Sequence, residues 1–291
     1  MIQVAVVSGK GGTGKTTLSA ALNLLFENNV IADCDVDAPN LHLIFQPAIQ
    51  QTHEYYGGKK AIIDYSKCTS CGVCEKFCRF DAIQRDGDKI VIDPYACEGC
   101  GVCVLKCPCK AVSLVDSKAG EHYESWVSKA QRPMVHAKLQ AGEETSGGLV
   151  AEVRKAALKF EKSGKKLVVI DGAPGIGCPA TSSITGVTYV VIVTEPTISG
   201  LHDLQRIVET VRHYRRDFGV VINKSTMNPE KKDEIIGYAE EKGIPILGEI
   251  PFDSTVNTAT INGKSILEYP ESSAARSIAK IFENLKEKLK I

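Results

Sequence analysis

Two sets of residues have the types and spacing to do chemistry. Residues 9–17 read GKGGTGKTT, directly after the apolar run IQVAVVS. Gly9, Gly14, Lys15 and Thr16 fit the pattern G-x-x-x-x-G-K-[ST]. In such a loop the glycines let backbone N–H groups curl around phosphates at a helix N-terminus. The lysine reaches the β- and γ-phosphates, and the hydroxyl ligates Mg²⁺. Gly9, Lys10, Gly11, Gly12, Thr13, Gly14, Lys15, Thr16 and Thr17 are therefore assigned to a bound nucleotide. Lys10 is a second lysine in a loop whose pattern asks for one.

The other set is eight cysteines. Cys68, Cys71, Cys74 and Cys78 are spaced C-x2-C-x2-C-x3-C; Cys97, Cys100, Cys103 and Cys107 repeat the spacing, and Pro108 follows. This is the bacterial ferredoxin pattern for two [4Fe–4S] clusters, in which the fourth cysteine of each run ligates the other cluster. One cluster is assigned Cys68, Cys71, Cys74 and Cys107, the other Cys97, Cys100, Cys103 and Cys78. Zinc would normally take paired C-x2-C units separated by a longer loop. Arg79 stands where proline is expected after Cys78, and its charge would raise that cluster's potential. Cys34 and Cys109 read as small hydrophobes.

The form KGGTGKT resembles the deviant Walker A loop of the MinD/ParA/Mrp class of P-loop ATPases, which includes the nitrogenase iron protein. The resemblance implies ATP and Mg²⁺ as cofactors and a homodimer that sandwiches nucleotide. Lys10 would cross that interface to the partner's phosphates, much as an arginine finger does. In ADCDVDAPN, Asp35 resembles the switch I aspartate that positions the attacking water, and Asp33 lies near Mg²⁺. Asp37 has no family counterpart. VVIDGAPGIG resembles switch II: Asp171 takes the Walker B place, holding Mg²⁺ through water, and Gly175 offers its N–H to the γ-phosphate. Lys10, Lys15, Asp35 and Asp171 then form the catalytic set. Asn223 in VVINKS, with Pro251 and Asp253 in EIPFD, falls where the family reads the purine. Cys178 lies as far after Asp171 as a cluster-ligating cysteine does in the nitrogenase iron protein. No second matching cysteine accompanies it, so a structural role stays open.

These residues need an α/β scaffold. Ile2–Val7, Lys166–Ile170 and Tyr189–Val193 read as buried strands, with weaker candidates at Val30–Ala32, Gly219–Ile222 and Ile246–Glu249. Helical stretches alternate with them: Thr16–Glu27, Gly148–Lys162, Leu201–Asp217 and Pro229–Lys242. That alternation predicts a Rossmann-like, mainly parallel sheet covered by helices. The cysteine stretch breaks it. DYSKCTSCGVCEKFCRFDAI is answered 29 residues later by DPYACEGCGVCVLKCPCKAV, an internal repeat. The expected organisation is an ATPase domain in two segments, 1–58 and 118–291, around a small inserted α+β ferredoxin-like domain at 59–117. Glu121–Leu139 reads as a hairpin, and AGEETSGG as a loop entering a helix.

Composition narrows the function. Lys plus Arg and Asp plus Glu number 35 each, so no net field favours nucleic acid or anionic lipid. With no signal-like start and no membrane-length apolar run, a cytoplasmic setting is expected, in which the eleven cysteines stay reduced and suit metal. Three functions compete. The first is an ATPase that passes electrons through two clusters to a partner protein. The others are an iron–sulfur carrier of the Mrp type and a MinD-like positioning ATPase whose C-terminal helix acts as a membrane switch. In that tail, Ile278, Ile281, Phe282, Leu285 and Leu289 share one face, which is expected to pack on the sheet instead.

Overall fold

The computed structural model describes residues 1–143 and 146–291, so two residues of the expected AGEETSGG loop lie outside the described residues. Backbone contacts divide the chain into two units. The first holds Met1–His53, His122–Lys138 and Ser146–Ile291; the second holds Glu54–Glu121 with the short stretch from Leu139.

In chain order the elements begin β1 (Ile2–Ser8), α1 (Lys15–Leu25), β2 (Asn29–Asp33), α2 (Leu41–Phe45) and β3 (Ala48–Ile63). The cysteine region supplies α3 (Val73–Phe77), β4 (Ile83–Asp86), β5 (Lys89–Ile92) and α4 (Val102–Lys106). Then come β6 (Val112–Val127), β7 (Arg132–Leu139), α5 (Ser146–Lys159), β8 (Leu167–Pro174) and α6 (Cys178–Ile184). The chain ends with β9 (Tyr189–Thr194), α7 (Ile198–His213), β10 (Asp217–Asn223), α8 (Pro229–Glu241), β11 (Ile246–Ile250), α9 (Thr255–Ile261) and α10 (Ser273–Leu289).

A nine-stranded sheet runs β11-β10-β9-β1-β8-β2-β7-β6-β3. Its pairings from β11 through β7 are parallel. Parallel strands are covered on both faces, which demands near-continuous apolar sequence. Val4, Ala5, Val6 and Val7 of β1 are accordingly fully buried. On one face, Val4, Val6 and Val169 pack with Leu18 and Leu22 of α1 and with Ile278, Ile281 and Leu285 of α10. The apolar stripe of the tail is therefore core, with Phe282 and Leu289 partly buried beside it. Among the described residues, no helix is long and apolar enough to cross a membrane.

The expected hairpin exists as β6 and β7, sheet neighbours joined by a turn with Gln131 at φ 51. Its first strand starts earlier than the sequence indicates, at Val112. β3, sixteen residues long and mostly exposed, was not foreseen, nor was the short helix α6.

In the second unit β4 and β5 pair antiparallel, Ile83 opposite Ile92. The short helices α3 and α4 each follow a glycine with positive φ, Gly72 and Gly101, in the repeated C-G-V-C. The buried cluster here comprises Ala61, Cys74, Ala82, Ile83, Ile90, Cys97, Cys103 and Val112. Three of those eight residues are cysteines, so the thiols themselves make a large part of this core.

Candidate functional site

The loop between β1 and α1 lies at the carboxyl end of the central strand, where open α/β sheets bind ligands. Gly14 sits at φ 89, a conformation that side-chain-bearing residues rarely adopt. A Cβ there would also fall 2.1 Å from Asn223 Nδ2. Asn223 in turn donates to the Thr13 carbonyl at 2.7 Å, tying the end of β10 to the loop. No acidic residue occupies the first turn of α1, which leaves its positive dipole end free for an anion.

Five side chains converge at this point. Lys15 Nζ donates to Asp171 Oδ1 at 2.7 Å and stands 3.4 Å from Asp35 Oδ2. The Thr16 hydroxyl donates to Asp171 Oδ2 at 2.8 Å, and the Ser19 hydroxyl to Oδ1 at 2.9 Å. Burial works against the Lys15 ammonium, yet Asp171, Asp35 and Asp33 outweigh it and hold its pKa above the ordinary lysine value. Burial raises the Asp35 carboxyl, with Lys15 pulling the other way. Asp33, wholly buried, is pushed up to about 8 by desolvation and by the charge of Asp171. Its oxygens accept from the backbone N–H of Asp35 and of Leu41, each at 3.2 Å, so it shapes the switch-like loop and satisfies a first-turn N–H of α2.

Gly11–Thr16, Asp35, Asp37, Asn40, Ala173 and Pro174 line a cleft of about 430 Å³, within the range that small-molecule sites occupy. The Thr13 hydroxyl is buried without a hydrogen-bond partner in the same loop. Unmet polar capacity, a free helix N-terminus and a lysine beside carboxylates and a hydroxyl fit a Mg²⁺-bound polyphosphate.

Other site residues behave differently from their expected roles. The Gly175 N–H, at φ 85, donates to the Ser8 carbonyl at 2.8 Å and is not free for a phosphate in this conformation. Lys10 is held within its own chain: Nζ lies 2.8 Å from Glu195 Oε1 and donates to Ser199 Oγ at 2.8 Å. Glu195 also accepts from Lys224, whose ammonium reaches the Gly12 carbonyl at 3.1 Å. Burial opposes the Glu195 carboxylate, but these two lysines keep its pKa below the ordinary glutamate value. Sequence reasoning missed Glu195, Lys224 and Ser19. The first two follow the ends of β9 and β10, and that position is the signal that could have found them. Asp253 accepts from the Ser272 and Ser273 hydroxyls and from the N–H groups of Thr255 and Ala274, which holds the start of α10. Both its oxygens are thus engaged in structure; Pro251 adjoins it at the end of β11. Thr17 follows Thr16 within α1, half-buried.

The cysteines form a separate constellation. Cys78, Cys97, Cys100 and Cys103 line one apolar cavity, with Phe77 and Phe80 beside them. Cys74 lies within electrostatic reach of Cys107 and Cys68, and burial raises its pKa. Backbone N–H groups donate to sulfur at Cys97 (from Ala61, 3.4 Å) and at Cys107 (from Ala111, 3.2 Å). Among the described residues, no three His, Cys, Asp or Glu side chains are gathered tightly enough to chelate a single metal ion. The four thiols that line the cavity, Cys97 among them met by a backbone N–H, are a donor set of the kind a sulfide-bridged iron cluster takes. Cys178 is exposed at the start of α6, and a Cβ on Gly147 would meet its Cβ at 3.0 Å.

A strand–loop–helix cradle at the carboxyl edge of a mostly parallel sheet defines a P-loop nucleotide-binding protein. Residues 4–266 match the model of the CobQ/CobB/MinD/ParA nucleotide binding domain, and the chain belongs to that family. A protein of unestablished function from Methanocaldococcus jannaschii is 36% identical over 99% of this chain and 97% of its own. An iron–sulfur cluster carrier protein from Pyrococcus furiosus is 25% identical over 99% of this chain and 86% of that one. The fold is shared with the septum site-determining protein MinD of Pyrococcus horikoshii, solved with Mg-ADP: TM-score 0.58, 20% identity, covering 99% of this chain and 97% of that one.

Proposed function

We propose that this chain is an ATPase that works as a nucleotide-dependent dimer and couples hydrolysis to electron transfer through two [4Fe–4S] clusters to a partner protein. The observation that carries the nucleotide half is the meeting of Lys15, Thr16, Asp35 and Asp171 beside the empty dipole end of α1. Lys15 would exchange Asp171 for the β- and γ-phosphates, Thr16 and Asp171 would turn to Mg²⁺, and Asp35 would orient the attacking water. Asn223 and Pro251 would contact the base. Lys10 would leave Glu195 to reach the phosphates of a second copy.

For the cysteine half, support comes from the repeated spacing and from the thiols that share a cavity. A cubane spreads its thiolates over four irons, wider than a single ion would. Cys68, Cys71, Cys74 and Cys107 would hold one cluster, and Cys97, Cys100, Cys103 and Cys78 the other; the clusters supply one-electron chemistry.

The carrier relative from Pyrococcus furiosus favours a second reading, delivery of clusters to other proteins. Positioning through a membrane-inserted tail has less support, because Ile278, Ile281 and Leu285 are already core. Anaerobically purified protein is expected to contain about eight irons and eight sulfides per chain. On mixing with a metal-free acceptor protein, a ferredoxin-like unit keeps its iron and a carrier gives it up. Bound zinc in place of iron would overturn both readings of the cysteines.

A further inference from the structure

The cavity shared by Cys78, Cys97, Cys100 and Cys103 has an unusual rim. Phe77 and Phe80 line it, yet remain 47% and 44% exposed. Val102 of α4 lines it too; three and four residues on, Leu105 and Lys106 fall on the same side of the helix. Leu105 is 85% exposed, and Lys106 Nζ stands 5.0 Å from the Phe77 ring centre. An apolar group left out this far in so small a unit forgoes most of the gain of its burial. It calls for a covering surface.

Charge says what kind. Lys59, Lys60, Lys67 and Lys118 of this unit each pair with a carboxylate. Among the described residues, no ion pair is formed by Lys76, Arg79, Lys106 or Lys110, which fall on or just after α3 and α4. Glu98 is the carboxylate found on the cavity wall. The repeat shows that the rim belongs to one half. Offset by 29 residues, Phe77 is matched by Lys106, Arg79 by Pro108 and Phe80 by Cys109.

We propose that this rim is the docking face for an acidic one-electron carrier protein, seated over Cys78, Cys97, Cys100 and Cys103 and not over the other thiol set. The proposal rests on the iron–sulfur reading above. An apolar centre flanked by cations without ion-pair partners, Lys106 beside the Phe77 ring and Arg79 between Cys78 and Phe80 in the chain, has the anatomy of a transient protein interface, and those cations favour an acidic partner and speed its approach.

The test titrates the full-length anaerobic chain with a flavodoxin, an acidic one-electron carrier, by calorimetry at low and high salt. Binding should weaken as salt rises. The Arg79→Glu/Lys106→Glu double variant should bind about tenfold more weakly or worse. Lys67→Glu, at a cation already paired with Asp64, should bind as the wild type does. These positions are exposed, so iron content and visible absorption should stay unchanged in every variant. Equal affinity of the iron-loaded double variant and the wild type overturns the docking face alone, as does a wild-type preference for basic cytochrome c over flavodoxin. A wild-type chain purified without iron or sulfide removes the iron–sulfur reading and this proposal with it.

Discussion

The two units satisfy their polar groups in opposite ways. In the first, Lys15, Asp171, Thr16 and Ser19 neutralise one another, and Lys10, Glu195 and Lys224 do the same along the loop. Around them lies a broad apolar core from both sheet and helices. Apart from the unpartnered Thr13 hydroxyl, the charged groups of that site already have partners, so a nucleotide would exchange one set of charge partners for another. In the second unit the buried cluster is only eight residues, and three of them are cysteines. A core that small seldom supports a fold by itself. The comparison teaches that one unit should need its ligand to act and the other should need its ligand to fold.

The largest effect expected from that contrast follows removal of iron and sulfide. Stripping the clusters should collapse amide-exchange protection in 54–121, a loss of several kcal/mol on the scale by which bound metal sustains small domains. Protection of β1, β8 and β9 should hardly change. Equal protection of both units after stripping would break the comparison.

Next comes Lys10. Replacing it with alanine should slow ATP turnover about a thousandfold, as loss of a charge donated across a dimer does. Nucleotide binding should largely survive, and ATP-induced dimerisation, followed by sedimentation, should disappear. Turnover at the wild-type rate would leave Lys10 with its observed role at Glu195 and no other.

Lys15→Ala acts on the cradle itself. Loss of a charged donor to phosphate should weaken ATP binding about 10- to 100-fold, measured by equilibrium titration. Melting temperature without nucleotide should fall too, since Asp171 would be left buried and unpaired.

The smallest effect separates structure from ligand contact. Asp253→Asn should destabilise the first unit by about 1 kcal/mol near neutral pH, the usual worth of a cap, with little change in nucleotide affinity. Hydrogen bonds, from Ser272 above all, hold the Asp253 carboxyl below its ordinary value of 3.8. Its contribution is therefore full above that value and lost as pH falls through the depressed folded pKa. The gap between wild type and variant should narrow only in strong acid. A selective loss of ATP affinity would return Asp253 to the purine.

What the sequence shows of this protein depends on burial. β1, β8 and β9 are covered on both faces, and that demand is written as unbroken runs of Val and Ile. β3 reads AIQQTHEYYGGKKAII, mostly exposed; its half-buried positions from His53 to Gly57 are filled by polar, aromatic and glycine residues, so no apolar alternation marks it. The loop of the first unit was legible because phosphate chemistry dictates glycine, lysine and threonine at fixed places. The partners of its lysines were not. Glu195 and Lys224 reach Lys10 and Gly12 from far along the chain, marked only by their place just after the ends of β9 and β10. The cysteine spacing was legible for a similar reason, but the exposure of Phe77, Phe80 and Leu105 is set by the tertiary fold and leaves no mark in the spacing.

The central claim is that nucleotide chemistry in the first unit governs electron exchange by the second. Its most direct measurement is the rate at which the reduced chain is reoxidised by an acidic flavodoxin, followed by stopped flow with Mg-ATP, with Mg-ADP and with neither. The expected result is a rate that changes with ATP relative to the other two states, with the change lost in Lys15→Ala. Identical rates in all three states, from protein that holds its iron and hydrolyses ATP, would contradict the coupling.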